Sequence, residues 1–320
     1  MNGSKTILKM AAEEQLKVND RMEREQDKDK VADAFGLGNV VKDRRIFSQN
    51  FTIRSYDMGP NHTATIETLM NLLQETALNH LRSMGLLRDG LGSTPEMSGR
   101  NLIWVLSKMY VVVDHYPSWN DDLRVDNWFI PSVKNGHGSE WIICDCSTGK
   151  TLTRATSMFV MMNKETRKLS ETPEGVIREM EPHYIECPPI LNEHSSRLRK
   201  LDYRNMEYVR TGLTPRWNDL DANQHVNNVK FVGLMLESVP LSFLENHELS
   251  SINLEYRREC AMDDVLQSLT SVSHKTIDDG SNDTDGADEC FHLLRFESGA
   301  VVARGSTKWR PKRSKNLYKA

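Results

Sequence analysis

The chain has 320 residues, 41 basic and 45 acidic side chains, a net charge of −4, and 38% hydrophobic and 27% charged residues. That balance excludes a collagen-like, coiled-coil or wholly disordered chain and lacks the basic excess of a nucleic-acid binder, while every apolar run falls far below the ~20 residues that cross a membrane as a helix. Five scattered cysteines make no disulfide framework, so a reducing compartment is expected.

Residues 1–44 read as a charged tail, with seven basic and seven acidic side chains in the first 30. Neither a secretory signal, which needs an apolar stretch, nor an acid-poor organelle transit peptide is visible there.

The next segment, FTIRSYDMGPNHTATIETLMNLLQETALNHLRSMG (51–85), reads as a strand, a Gly-Pro-Asn turn and a helix. Ile66, Leu69, Met70, Leu73, Ala77, Leu81 and Met84 recur at helical spacing, and Gly85 is its expected stop. Cys144 and Cys146 lie two apart in a strand-like stretch, with no His or Cys at metal-ligand spacing beside them, and read as two thiols on one sheet face.

The pattern of 51–85 returns at 208–240, YVRTGLTPRWNDLDANQHVNNVKFVGLMLESVP. Placing His62 on His225 pairs Ile66 with Val229 and Leu73 with Leu236, and leaves Met58 and Pro60 opposite Asp221 and Asn223. Further on, 109–125 matches 252–268, Pro117 falls opposite Glu259, and Arg154 matches Arg304. The chain therefore reads as an α+β duplication, each copy a long helix wrapped by a sheet. Residues 45–185 form the first unit, the polar stretch 186–205, with Pro188 and Pro189, is the linker, and 206–320 form the second. The second helix, with Val229, Phe231, Val232, Leu234, Met235, Leu236 and Val239 against the charged Lys230 and Glu237, is expected to be buried all round.

Just before that helix stands Asp221-Ala222-Asn223-Gln224-His225-Val226-Asn227-Asn228. In an extended segment Asp221, Asn223 and His225 face one way, and an acid, an amide and an imidazole so placed can relay a proton. Asn227 or Asn228 can cap the helix, whose free N–H groups would meet an oxyanion. At the end of the strand INLEYRREC, Cys260 as nucleophile or Glu259 as the partner of His225 in polarising a water would complete a hydrolytic site. Strand parity puts Cys260 with the apolar Ile252, Leu254 and Tyr256, which favours Glu259.

Through WNDLDANQHVNNVKF, LEYRREC, TATIETLMNLLQETALNH and RATSMFVMMNKETRKL, residues 45–312 resemble the plant acyl-acyl-carrier-protein thioesterases, B class. The resemblance implies a tandem pair of hotdog domains that hydrolyses fatty acyl thioesters of acyl carrier protein, with no cofactor or metal, in the plastid stroma. It implies catalytic residues at Asn223 and His225, with Asp221, Glu259 and Cys260 assigned differently in competing schemes. It also implies a saturated acyl chain held mainly in the first domain, around the helix 66–84 and the strand Trp104–Val113, and a homodimer. Many B-class members carry an apolar stretch ahead of the first domain; the charges here argue against membrane association. The basic stretches Arg197–Arg216 and KWRPKRSKNLYK are expected to steer an acidic carrier protein, and the acidic DDGSNDTDGADE (278–289) is expected to be a hairpin loop rather than a calcium site. Alternatives are a hotdog hydrolase of acyl-CoA and a non-enzymatic acyl-carrier binding protein.

Overall fold

The structure is a computed structural model, described over residues 31–32, 36–40, 45–87, 92–131, 136–191, 198, 206–273 and 288–312. Residues 1–30, most of the stretch 186–205, the acidic stretch 278–287 and the terminal 313–320 lie outside the described residues.

Among the described residues, twelve strands form one antiparallel sheet. Two short strands, β1 (Val31–Ala32) and β2 (Asn39–Val40), precede β3 (Ile46–Thr52), β4 (Leu102–Val113), β5 (Asp122–Pro131), β6 (Gly136–Asp145) and β7 (Thr151–Asn163). The second copy supplies β8 (Tyr208–Leu213), β9 (His247–Tyr256), β10 (Leu266–Ser273), β11 (Asp288–Phe296) and β12 (Val301–Pro311). The order β1-β2-β3-β5-β6-β7-β4-β9-β12-β11-β10-β8 is palindromic from β3 onward, so each copy runs outward from its own central strand. At the centre β4 and β9 pair antiparallel with Tyr110 opposite Asn253, flanked by Met109–Leu254 and Val111–Ile252. The copies are thus related by a local two-fold through that pair, and Arg154 and Arg304, opposite Val112 and Glu255, are equivalent as the sequence match has them.

The first helix, α1 (Ile66–Ser83), starts where the Thr65 side chain accepts the Thr68 N–H at 3.0 Å and ends at Gly85, whose φ of +75° suits a glycine. Its buried Ile66, Leu69, Met70, Leu73, Ala77 and Leu81 face the inner side of the sheet, each large side chain contributing ~1.5–3 kcal/mol by leaving water. Short helices α2 (Pro95–Ser98) and α3 (Glu174–Met180) close a second, smaller core at the end of α1, with Met97, Val176 and Met180 buried among Leu81, Trp104 and Phe129.

The second copy departs from the expected long helix. Its central helix, α4 (Lys230–Leu236), has only seven residues, and Pro240 separates it from α5 (Leu241–Asn246), because proline offers no N–H to continue the ladder. Val229, Phe231, Val232, Met235 and Val239 are buried as expected, but Leu234 and Leu236 are only partly covered. Where α1 and α4 touch, a Cβ on Gly233 would lie 2.6 Å from Glu67 Oε1, and Lys230 Nζ stands 3.4 Å from Glu67 Oε2.

The duplication also runs one residue out of step with the His62–His225 match. The short turns Ser55–Asp57 and Trp217–Asp219 correspond, the bridges Met58–Ala64 and Leu220–Val226 correspond, and the left-handed residue is His62 (φ +60°) in one loop and Gln224 (φ +64°) in the other. His225 is therefore matched by Thr63, Asn223 by Asn61 and Asp221 by Gly59. The Ala64 N–H donates to Pro117 O (2.8 Å) as the Val226 N–H does to Cys260 O (2.9 Å), so Pro117 answers Cys260 and Tyr116 answers Glu259.

Candidate active site

The loop before α4 is a closed turn rather than an extended segment. Asp221 N–H donates to His225 O at 2.7 Å, and Asp221 Oδ1 accepts the N–H groups of Asn223 (2.8 Å) and His225 (3.2 Å). The Oδ1 oxygen of Asp221 thereby shapes the turn, as an Asx turn does, while the side chain also lines the cavity. Asn227 Oδ1 accepts the Val229 N–H at 2.9 Å and so caps the approach to α4, while Asn228 O accepts the Tyr256 hydroxyl at 3.1 Å.

Strand β9 ends at Tyr256, so Glu259 and Cys260 lie beyond it and strand parity does not govern them. The Val226–Cys260 backbone bond nevertheless ties this segment to the loop, and brings Glu259 Oε2 to 3.7 Å from His225 Nε2, both side chains about a third exposed. A third group completes the cluster. Arg167, at the turn after β7 with φ +53°, donates from Nε to Glu259 Oε2 at 2.9 Å and from its terminal nitrogen to Oε1. Asn163 builds that turn, its side chain accepting the N–H groups of Glu165 and Thr166. A non-glycine left-handed residue is held only where its surroundings over-determine it, and here it aims a guanidinium from the first copy at a carboxylate of the second.

These groups line a cavity of about 890 Å³ between the copies. Asp221, Asn223, His225, Asn228 and Glu259 form one wall, and Trp104, Leu106 and Phe159 lead inward under α1. Cys260 is not among the lining residues: it is 1% exposed, within the main core, and burial, with Asp264 adding, pushes its thiol up to about 12. Glu255 also reaches the cavity, but Arg304 (2.7 Å), Arg257 (2.6 Å) and Lys108 (3.8 Å) surround it; burial alone would raise its pKa, and these cations bring it below the ordinary range. Asn223 is exposed at the mouth, as are Arg257 and Arg258.

Residues 44–180 match the family described as acyl-ACP thioesterase N-terminal domain, and 203–311 its C-terminal domain. Chloroplastic palmitoyl-acyl carrier protein thioesterases are 54% identical over 311 residues in Gossypium hirsutum (97% of this chain, 74% of that protein) and 53% over 307 residues in Arabidopsis thaliana (96% and 74%). The solved 12:0-ACP thioesterase from Umbellularia californica superposes with a TM-score of 0.77 at 45% identity, covering 83% of this chain and 94% of that one. The chain belongs to the acyl-ACP thioesterase family. It is a thioester hydrolase on a tandem hotdog scaffold, and an acyl chain on acyl carrier protein is the substrate that the family name specifies.

Of the residues expected of this acyl-ACP thioesterase, the structure brings Asp221, Asn223, His225 and Glu259 to one cavity wall, with Asp221 also bracing the loop, and sets Cys260 behind them in the core. Arg167 has no place in the set expected from sequence, although it lies in one of the stretches that carry the family resemblance. The first copy offers Gly59, Asn61, Thr63 and Tyr116 at the matching positions, so it retains the amide and lacks the imidazole and the carboxylate. Cys144 is buried at the end of β6, whereas Cys146 sits exposed in the next turn, so the two do not share a sheet face. In the basic carboxyl-terminal stretch Arg310 grips Glu248 and the Val113 carbonyl, and Lys312 the carbonyls of Leu244 and Glu245, so both serve the fold. Among the described residues no helix is long and apolar enough to cross a membrane, and no cluster of His, Cys, Asp and Glu could hold a metal ion.

Proposed function

We propose that the chain hydrolyses saturated fatty acyl-ACP in the plastid, with His225 as general base, Glu259 as its charge partner and water as the nucleophile. The observation that carries this reading is the His225–Glu259 approach at 3.7 Å on the wall of an open cavity, with the Cys260 thiol buried behind it. His225 Nε2 takes a proton from water as the water oxygen attacks the thioester carbonyl carbon. Arg167 engages both Glu259 oxygens, so the carboxylate acts by its charge, stabilising the imidazolium that forms. The Asn223 amide, exposed at the mouth, donates to the developing oxyanion. Collapse breaks the C–S bond, and the leaving thiolate takes the proton back from His225, giving free fatty acid and the carrier thiol.

A Cys-His-Asn scheme needs a thiolate, and a thiol held at about 12 is protonated at neutral pH. Saturated chains are inferred from the relatives, whose names specify palmitoyl and dodecanoyl substrates, and a plastid location from their being chloroplastic. We assign residues 45–185 to a unit that holds the acyl chain, 186–205 to a linker and 206–320 to the catalytic unit. Lys108, Arg257 and Arg258 at the cavity suit an acidic carrier protein.

The test is the profile of fatty acids released from acyl-ACPs of about eight to eighteen carbons, saturated and unsaturated, beside the matching acyl-CoAs. Release peaking on saturated acyl-ACP is expected; equal or faster turnover of acyl-CoA would overturn the carrier assignment.

A further inference from the structure

Beyond the catalytic cavity lies a chamber of about 120 Å³ whose open surface is nearly all apolar, as suits a hydrocarbon tail. His225 and Glu259 border the cavity and not the chamber. The two spaces meet at a neck formed by Gln74, Leu78, Trp104, Leu106, Phe159 and Asn228, which border both. A substrate whose tail fills the chamber and whose thioester stands beside His225 has to thread this neck, which brings its carbonyl end there. Leu78, Leu106 and Phe159 are side chains that such a passage calls for, and Gln74 is not.

Residues three and four apart share a helix face, so on α1 Gln74 stands among Met70, Ala77 and Leu78, all apolar and all lining the chamber. Its side chain is half-buried, has no hydrogen-bond partner among the described residues, and keeps its amide atoms open rather than sealed. The Trp104 Nε1–H at the same neck is sealed off. An amide beside an apolar passage costs free energy unless something entering the passage completes its bonds. The duplication sharpens the point. Counted from the bridge residues Ala64 and Val226, Gln74 is answered in the second copy by Leu236. The helix that meets the His225 loop at the neck thus carries an amide where the helix following that loop carries a leucine.

We propose that Gln74 is a further catalytic residue, whose amide nitrogen donates a hydrogen bond to the thioester carbonyl oxygen at the neck. It is then the second donor, with Asn223, to the oxyanion that forms as water adds. The assignment rests on the reading that the cavity holds the thioester beside His225. A neutral amide offers its N–H donors whatever the protonation of the imidazole. Carried on α1, it is in place before the substrate arrives and stabilises the growing negative charge without reorganising.

The experiment measures kcat and KM of the wild type, Gln74→Met and Gln74→Glu on a series of saturated acyl-ACPs, and follows kcat across pH. Turnover by the wild type tests the hydrolase reading separately from the role of Gln74. Gln74→Met keeps the length of the side chain in a good helix former and removes the donors. Its kcat is expected to fall roughly 10²-fold on every chain, with KM within roughly threefold and the ranking of chain lengths unchanged. The apparent pKa of its kcat profile should stay that of the wild type, since His225 sets it. Gln74→Glu keeps the shape but sets a carboxylate against the oxyanion, and should fall at least as far. A kcat near that of the wild type in Gln74→Met, or a changed ranking of chain lengths with kcat retained, would overturn the proposal and leave Gln74 as a wall of the passage.

Discussion

Arg167 and Glu259 lie 92 residues apart in the chain and belong to different copies of the duplicated unit, yet the guanidinium engages both carboxylate oxygens. That ion pair fixes the carboxylate facing His225 and fastens the first copy to the second at the mouth of the cavity.

Loss of the fork should therefore cost turnover more than substrate affinity. Arg167→Gln is expected to lower kcat by roughly tenfold or more, ~1.4 kcal/mol of barrier, with a smaller change in KM. Arg167→Lys should recover only part of this, because an ammonium cannot span both oxygens. The check is steady-state kinetics on one saturated acyl-ACP; a KM effect without a kcat effect would assign Arg167 to carrier docking instead.

The strand pairing next to the central pair makes a stability prediction. A Cβ on Gly305 would stand 2.6 Å from the backbone oxygen of Asn253 and 2.9 Å from Leu254 Cδ2, where β12 packs on β9. Gly305→Ala should cost ~1–3 kcal/mol, because backbone on the sheet cannot yield as a side-chain tip can. Gly233→Ala meets only the end of the Glu67 side chain and should cost less. Denaturant midpoints of the two variants measure the difference.

Buried ionisable groups away from the site make stability depend on pH. Glu140 on β6 is fully buried, and burial raises its carboxyl to about 7, against bonds from Ile190 N–H and Trp128 Nε1 that pull it down. The folded form then holds a proton that the unfolded form releases near its ordinary value, so this contribution is complete below about 4.5 and is lost as pH rises through about 7. His292, which burial lowers to about 3, acts in the opposite sense: its contribution is complete above about 6.5 and is lost as pH falls. Subtracting the stability curve of Glu140→Gln from that of the wild type isolates the first effect, expected to reach up to ~3 kcal/mol. A flat difference between pH 4.5 and 8 would contradict it.

The sequence carried the order of elements and the contents of the cavity wall, because these depend on local pattern. Gly85 ends α1, and residues 223, 225 and 259 line one cavity. Register was harder: matching His62 to His225 satisfied residue type, whereas the loops superpose through the left-handed backbone of His62 and Gln224, which side-chain identity does not display. The shape of the loop around Asp221 was hidden for the same reason: it is a tight turn braced by Asp221 Oδ1 and not an extended segment. The short α4 was legible in Pro240, and only the apolar run around it suggested a longer helix. Arg167 was not legible at all: its partner lies in the other copy, and only the antiparallel joining of β4 to β9 brings the two together.

The most direct test of the account compares His225→Ala, Glu259→Gln and Cys260→Ala with the wild type on the saturated acyl-ACP it cleaves best. The first two should lose kcat by roughly 10²- to 10⁴-fold, the usual worth of a positioned proton acceptor and its partner, while Cys260→Ala stays within roughly threefold and loses only folding stability. A dead Cys260→Ala beside an active Glu259→Gln would contradict water attack and make the buried thiol the nucleophile.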